Sequence, residues 1–255
     1  MTKHLVAVVL GITMTFSLPY TVSADLIFDS NLGGVSGTGL GTVATILTIQ
    51  SPGSGSIESG SVIRSGGADV TSDTGVVAGG APISVGNVKT GASQTQTQTL
   101  GGNSITQASK IAIVFNAAEP AGNSIILTGL QMSVFNGNAD IFDAHLATSV
   151  SFPATFTGVG KEGFVFRLNT TEAAALQTLL NGLTTAQVAA LRIGLSASAS
   201  EATGGLETFN LATITAEFPL PVPEPGTFLF VGTALAGLSL VAWRRRSNRS
   251  ERRQT

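Results

Sequence analysis

Short apolar runs separated by Gly, Ser, Thr, Asn and Pro recur throughout residues 25–218. Several alternate with a period of two, the pattern of a strand that turns one face to a core and the other to solvent. Within 163–168, Phe164, Phe166 and Leu168 share one face while Val165 and Arg167 share the other. The same reading places strands at 42–49, 93–100, 110–117, 124–135, 141–152, 191–199 and 207–218, with Asn136-Gly137-Asn138 as a turn between two of them. The expected fold is all-β, a single β-sandwich or jelly-roll-like domain.

One stretch breaks the period. Asn169 stands three residues before Glu172 and Thr184 three before Gln187, the spacing of two capping boxes that open short helices. Gly182 closes the first, and Leu176, Leu179, Leu180 and Leu183 form the expected buried stripe of a helical insert over about 169–190. Residues 51–80 are rich in Gly and Ser and poor in large apolar side chains, so they are expected to form loops and weak edge strands. Four prolines in 219–225 make a stiff extended spacer.

The two ends carry different patterns. Lys3 and His4 precede an apolar stretch over 5–16, and Val22-Ser23-Ala24 puts small residues where a signal peptidase reads, which predicts a signal peptide over 1–24 cleaved after Ala24. At the other end, 227–243 is free of charge and ends at Trp243. At ~1.5 Å per residue it spans roughly 26 Å, enough for one transmembrane helix. Arg244, Arg245 and Arg246 follow at once and hold the basic tail 244–255 on the cytoplasmic side. The domain at 25–218 is thereby placed outside the cytoplasm, with the inner membrane holding the precursor.

Pro223-Glu224-Pro225, the apolar run behind it and the arginine cluster from Arg244 stand in the order and spacing of a PEP-CTERM sorting signal, which this tail resembles. The likeness covers about the last 34 of 255 residues. It implies handling by an exosortase, a membrane enzyme thought to cut near the motif and pass the protein to the surface of an exopolysaccharide-producing Gram-negative bacterium. The tail past Arg246 is longer than the few residues expected of that family.

Charge counted over the whole chain, −2, hides an asymmetry. Between the signal peptide and the sorting motif stand six basic and thirteen acidic residues, a net charge of −7. Such a domain lacks the basic footprint of a nucleic-acid binder and would repel an anionic exopolysaccharide unless a divalent cation mediated. Cysteine is absent, which excludes disulfides, thiol chemistry and Cys-based metal sites.

Candidate chemistry is sparse. His145 is the one histidine behind the signal peptide, and no Gly-x-Ser-x-Gly elbow accompanies it. Asn136, Asn138, Asp140 and Asp143 form the densest set of oxygen ligands, candidates for calcium, although turn and edge solvation explain the same residues. Gln94-Thr95-Gln96-Thr97-Gln98-Thr99, drawn as a strand, is a ladder with Thr on one face and Gln on the other. Trp and Tyr occur only at Trp243 and Tyr20, so the domain lacks the aromatic platforms on which sugars stack, and its ten phenylalanines from Phe28 to Phe218 are core material. The expectation is a non-enzymatic structural or adhesive surface protein associated with exopolysaccharide or biofilm, with no catalytic residue and no cofactor beyond possible calcium. The alternatives are a polymer-degrading hydrolase of the same matrix and an ordinary single-pass membrane protein whose tail stays uncut.

Overall fold

Backbone pairing in the protein, a computed structural model, is described for residues 25–30, 35–36, 44–51, 55–91, 94–119, 123–152, 162–203 and 205–214. The expected signal peptide, proline spacer, sorting motif, transmembrane helix and basic tail lie outside these residues. Among the described residues, no helix is long and apolar enough to cross a membrane.

The first half of the chain contributes β1 (Asp25–Phe28), β2 (Val35–Ser36), β3 (Ala44–Gln50), β4 (Ile57–Ser65), β5 (Ala68–Ser72), β6 (Thr74–Val76), β7 (Pro82–Ser84), β8 (Asn87–Val88) and β9 (Gln98–Thr99). Next come β10 (Ile111–Asn116), β11 (Ile125–Asn136), β12 (Ala139–Leu146), β13 (Val150–Phe152) and β14 (Glu162–Leu168). Helices α1 (Thr170–Asn181) and α2 (Thr185–Ala190) precede β15 (Arg192–Ser200) and β16 (Glu207–Thr213). The all-β expectation and the helical insert both hold.

Hydrogen bonding links these strands in the order β5-β4-β15-β11-β12-β1-β14-β10-β16-β3-β8, with β13 on β11, β2 on β14 and β9 on β15. The sheet is nearly closed, because β3, close to one end of that order, packs against β4, close to the other, without a shared ladder. Among the described residues every pairing is antiparallel except β1 with β12, where only Asp25↔His145 and Leu26↔Leu146 are in register. The ring thus has two thin seams.

Between them lies an apolar core with a phenylalanine cluster. Phe152 stacks on Phe164 at 3.9 Å between centroids and meets Phe28, Phe115 and Phe166 at 5.1, 5.9 and 6.2 Å. Phe152 arrives from β13 on β11, whereas its neighbours belong to β1, β10 and β14, so one ring ties the two sides of the β1–β12 seam.

Residues 51–80 depart from expectation. They contain β4, which pairs with β15 over six register positions and with β5 on its other edge. Glu58, Ser59, Gly60 and Val62 on it are buried. The small residues are there because a second layer lies on the outer face. The hairpin of β6 and β7 crosses it so closely that a Cβ on Gly75 would sit 2.0 Å from the carbonyl oxygen of Ala197, and one on Gly129 2.1 Å from that of Val76. Ser198 donates its hydroxyl to Val76 O, and Ala78 N donates to Thr128 O at 2.6 Å. A Gly- and Ser-rich composition here marks backbone packed on backbone.

Other boundaries shifted. Of 93–100, only Gln98–Thr99 forms a strand, and the run expected at 141–152 breaks into β12 and β13. Strand β1 had no counterpart in the alternation pattern. In the insert, Leu176 and Leu180 are buried and Leu183 packs against the core, but Leu179 is 42% exposed and faces away from the stripe. Thr184 and Gln187 complete their capping box, whereas Asn169 accepts from Glu172 N at 2.8 Å without the reciprocal bond.

Gly129→Ala is expected to lower stability by about 1–3 kcal/mol, since the methyl group meets backbone that cannot rotate away. Thermal unfolding checks this, and an unchanged melting temperature would contradict the close approach.

Candidate functional site

A register shift in the β11–β12 hairpin creates a polar patch on the surface. Phe135 faces Asp140 but Val134 faces Phe142, so Ile141 is an extra residue on β12. Without it, positions 140 and 143 would point to opposite faces; the bulge brings the two carboxyl groups into hydrogen-bonding range of each other. Partial burial, and after it the charge of Asp143, raises Asp140 to about 6. Asp143 accepts from the Ser133 hydroxyl and from Gln131 Nε2 at 3.0 Å.

Two of the four calcium candidates therefore meet. The others do not join them. Asn138 Oδ1 accepts from Gly67 N at 2.7 Å and ties this hairpin to the β4–β5 turn, and Asn136 is exposed at the end of β11. Among the described residues, no group of three or more His, Asp or Glu side chains is placed to hold a metal ion. The Asn/Asp set is a hairpin fastening with one carboxyl pair.

The Gln-Thr ladder is also spent internally. Thr95 Oγ1 accepts from Thr48 N at 3.1 Å, and Thr97 Oγ1 donates to Asp69 at 2.6 Å and accepts from Arg192 Nε at 2.6 Å. Gln98 Nε2 donates to Thr45 O at 2.8 Å. Thr95 and Thr97 are buried on one side, in keeping with the expected alternation, but hydroxyls and an amide replace most of a strand ladder, and no flat exposed comb results. Those bonds, with Arg64 beside it, outweigh partial burial and hold Asp69 below the usual carboxylate range.

A second carboxyl pair went unnoticed in the sequence. Glu58 at the start of β4 and Glu207 at the start of β16 are 1% and 0% exposed and lie within hydrogen-bonding reach of each other across the β3–β4 seam, with Glu58 Oε2 and both Glu207 carboxyl oxygens lacking any other donor. Glu58 Oε1 also accepts from Ser51 N at 2.7 Å. Burial raises both, and Glu207 is pushed up to about 10, so at neutral pH Glu207 keeps its proton and donates it to Glu58. The charge of Glu119 raises both further, its carboxylate receiving Thr203 N at 2.9 Å and the Thr203 hydroxyl at 2.8 Å, while Lys89 opposes the shift of Glu58. No sequence pattern marked these acids, because the strands that carry them meet only in space.

Residues 221–246 match the PEP-CTERM protein-sorting motif. The tail is a PEP-CTERM sorting signal. It contains Pro223, Glu224, Pro225 and the arginines Arg244, Arg245 and Arg246, and it implies processing by an exosortase, export, and a membrane-anchored precursor delivered to the surface. The PEP-CTERM match leaves the domain before it uncovered, and no curated protein or solved structure matches the chain.

Two outcomes are expected of the carboxyl pairs. A carboxyl raised by folding stabilises the fold fully below its ordinary value, 4.5 for Glu207, and withdraws that contribution as pH rises toward about 10. Between pH 5 and 8.5 the wild type should lose more than about 1 kcal/mol that Glu207→Gln, which keeps a donor toward Glu58, does not lose. Denaturant titrations at both pH values check this, and parallel losses would contradict it. At the surface, Asp143→Asn should bring Asp140 down from about 6 toward its ordinary 3.8, followed by carboxyl carbon shifts in NMR.

Proposed function

We propose that the chain is a non-enzymatic surface protein: a β domain with a nearly closed sheet, carried through the inner membrane, held there by its tail, and passed by an exosortase to the cell surface or extracellular matrix, where it serves as a structural or adhesive unit alongside exopolysaccharide. The observation that carries this is the PEP-CTERM motif at 221–246 behind a domain that ends its last described strand at Thr213.

Three features support a structural role. The candidate ligands are occupied with holding hairpins and seams together, as in Asn138 with Gly67 and Thr97 with Asp69 and Arg192. The phenylalanines of the cluster pack against one another and so are unavailable as a sugar platform. Asp29, Glu58, Glu119, Glu172 and Glu207 are buried, so much of the acidic excess lies inside and the outer surface repels a polyanion less than composition implies.

Mass spectrometry of the mature C-terminus, in cells with and without the exosortase, tests the sorting step. Residues 226–255 should be missing from the surface form in exosortase-positive cells and retained in cells lacking the enzyme. Retention in both would return the protein to the class of plain single-span membrane proteins.

A further inference from the structure

Asp25 opens β1 and is the residue directly behind the expected cleavage site at Ala24. Its carbonyl accepts from Asn169 N at 3.1 Å. In an extended strand the N–H and C=O of one residue point to the same edge, so the nitrogen of Asp25 also faces the start of α1. Asn169 is the N-cap of that helix and Glu172 is its third residue.

Glutamate at the third helical position ordinarily reaches back to the N–H of the cap residue. Gln187 does so in α2. In α1 the same N–H is already committed to Asp25, and Glu172, 1% exposed, is left with Oε1 buried and without a hydrogen bond. Burial raises its affinity for a proton, the Asp25 carboxylate adds to this, and His145, the register partner of Asp25, opposes it. A buried carboxylate in this position calls for a cation or a proton.

We infer that Glu172 is the receptor for the α-ammonium group created at Asp25 when the leader is removed. Hydrolysis breaks the Ala24–Asp25 peptide bond: the hydroxyl of water goes to the Ala24 carbonyl, and the nitrogen of Asp25 takes the hydrogen and one further proton from solvent. Before cleavage that nitrogen is a neutral amide; afterwards it is a cation facing the helix start from which Glu172 projects. The ion pair fastens the first residue of β1 where β1 meets β12 over only two register positions, so processing adds a side-chain clamp to that seam. The inference rests on residues 1–24 being a cleaved leader and does not depend on the fate of the tail.

Intact-mass analysis of the exported protein reads the first residue, which should be Asp25; any other start overturns the inference. The chain from Asp25 to Thr255 in detergent is then compared with the same chain retaining Ala24, which displaces the amino group by about 3.3–3.6 Å. Each is made with Glu172 and with Glu172→Gln. The Asp25 start should melt about 2–4 °C above the Ala24 start, and the gap should vanish with Glu172→Gln. Equal melting of the two Glu172 forms, or a gap that survives the substitution, overturns the pairing. Independently, the α-amino group of Asp25, with the Asp25 and Glu172 carboxylates and His145 around it, should titrate above the usual ~8 and fall back with Glu172→Gln. Titration at the usual value also overturns it.

Discussion

A sheet that bends round until its ends meet must hold itself shut where it has the fewest backbone hydrogen bonds. Here that happens twice, at the two-position parallel contact of β1 with β12 and at the ladder-free contact of β3 with β4. Long antiparallel ladders such as β11 with β15 make the rest of the ring continuous. The seams depend on side chains instead: Phe152 and the ring cluster at the first, the Glu58–Glu207 carboxyl pair at the second. Closure removes most exposed edges, leaving short strands such as β5 and β8 at the ends of the order.

Acidic residues consequently do two unlike jobs. On the surface, Asp140 and Asp143 share one patch because a bulge re-aims one of them. Inside, Glu58 and Glu207 share a proton and Asp29 meets Arg167 at 2.6 Å. Neutralising one acid of a buried pair by protonation replaces a costly buried charge with a donor, and it works without any cation from outside. A domain exported without cysteine can use such bonds where others use disulfides.

How much was legible differs by element. Where a strand has one face on the core, as in 163–168 and 110–117, alternation located it closely, and the helix caps at Asn169 and Thr184 identified themselves by spacing. The stretch 51–80 departs from loops and weak edge strands because its small residues answer to the β6–β7 hairpin lying on β4, β11 and β15. The 94–99 repeat departs in the opposite sense: its periodicity is real, but hydroxyls satisfy its backbone neighbours in place of a ladder. Of the polar candidates, only Asp140 and Asp143 were brought together; Glu58 and Glu207 carried no signal beyond their charge, and Glu172 was marked only by its spacing from the cap at Asn169.

By itself the sequence determined the strand-rich character, the helical insert and the sorting tail, because periodicity, capping and a contiguous motif are local and survive without coordinates. Only the tertiary structure decided which acids are buried and paired, which glycines let backbones touch, and where the ring is thin. Those properties belong to residues far apart in the chain, such as Glu58 and Glu207, whose shared proton exists only because two strand ends arrive side by side at the same seam.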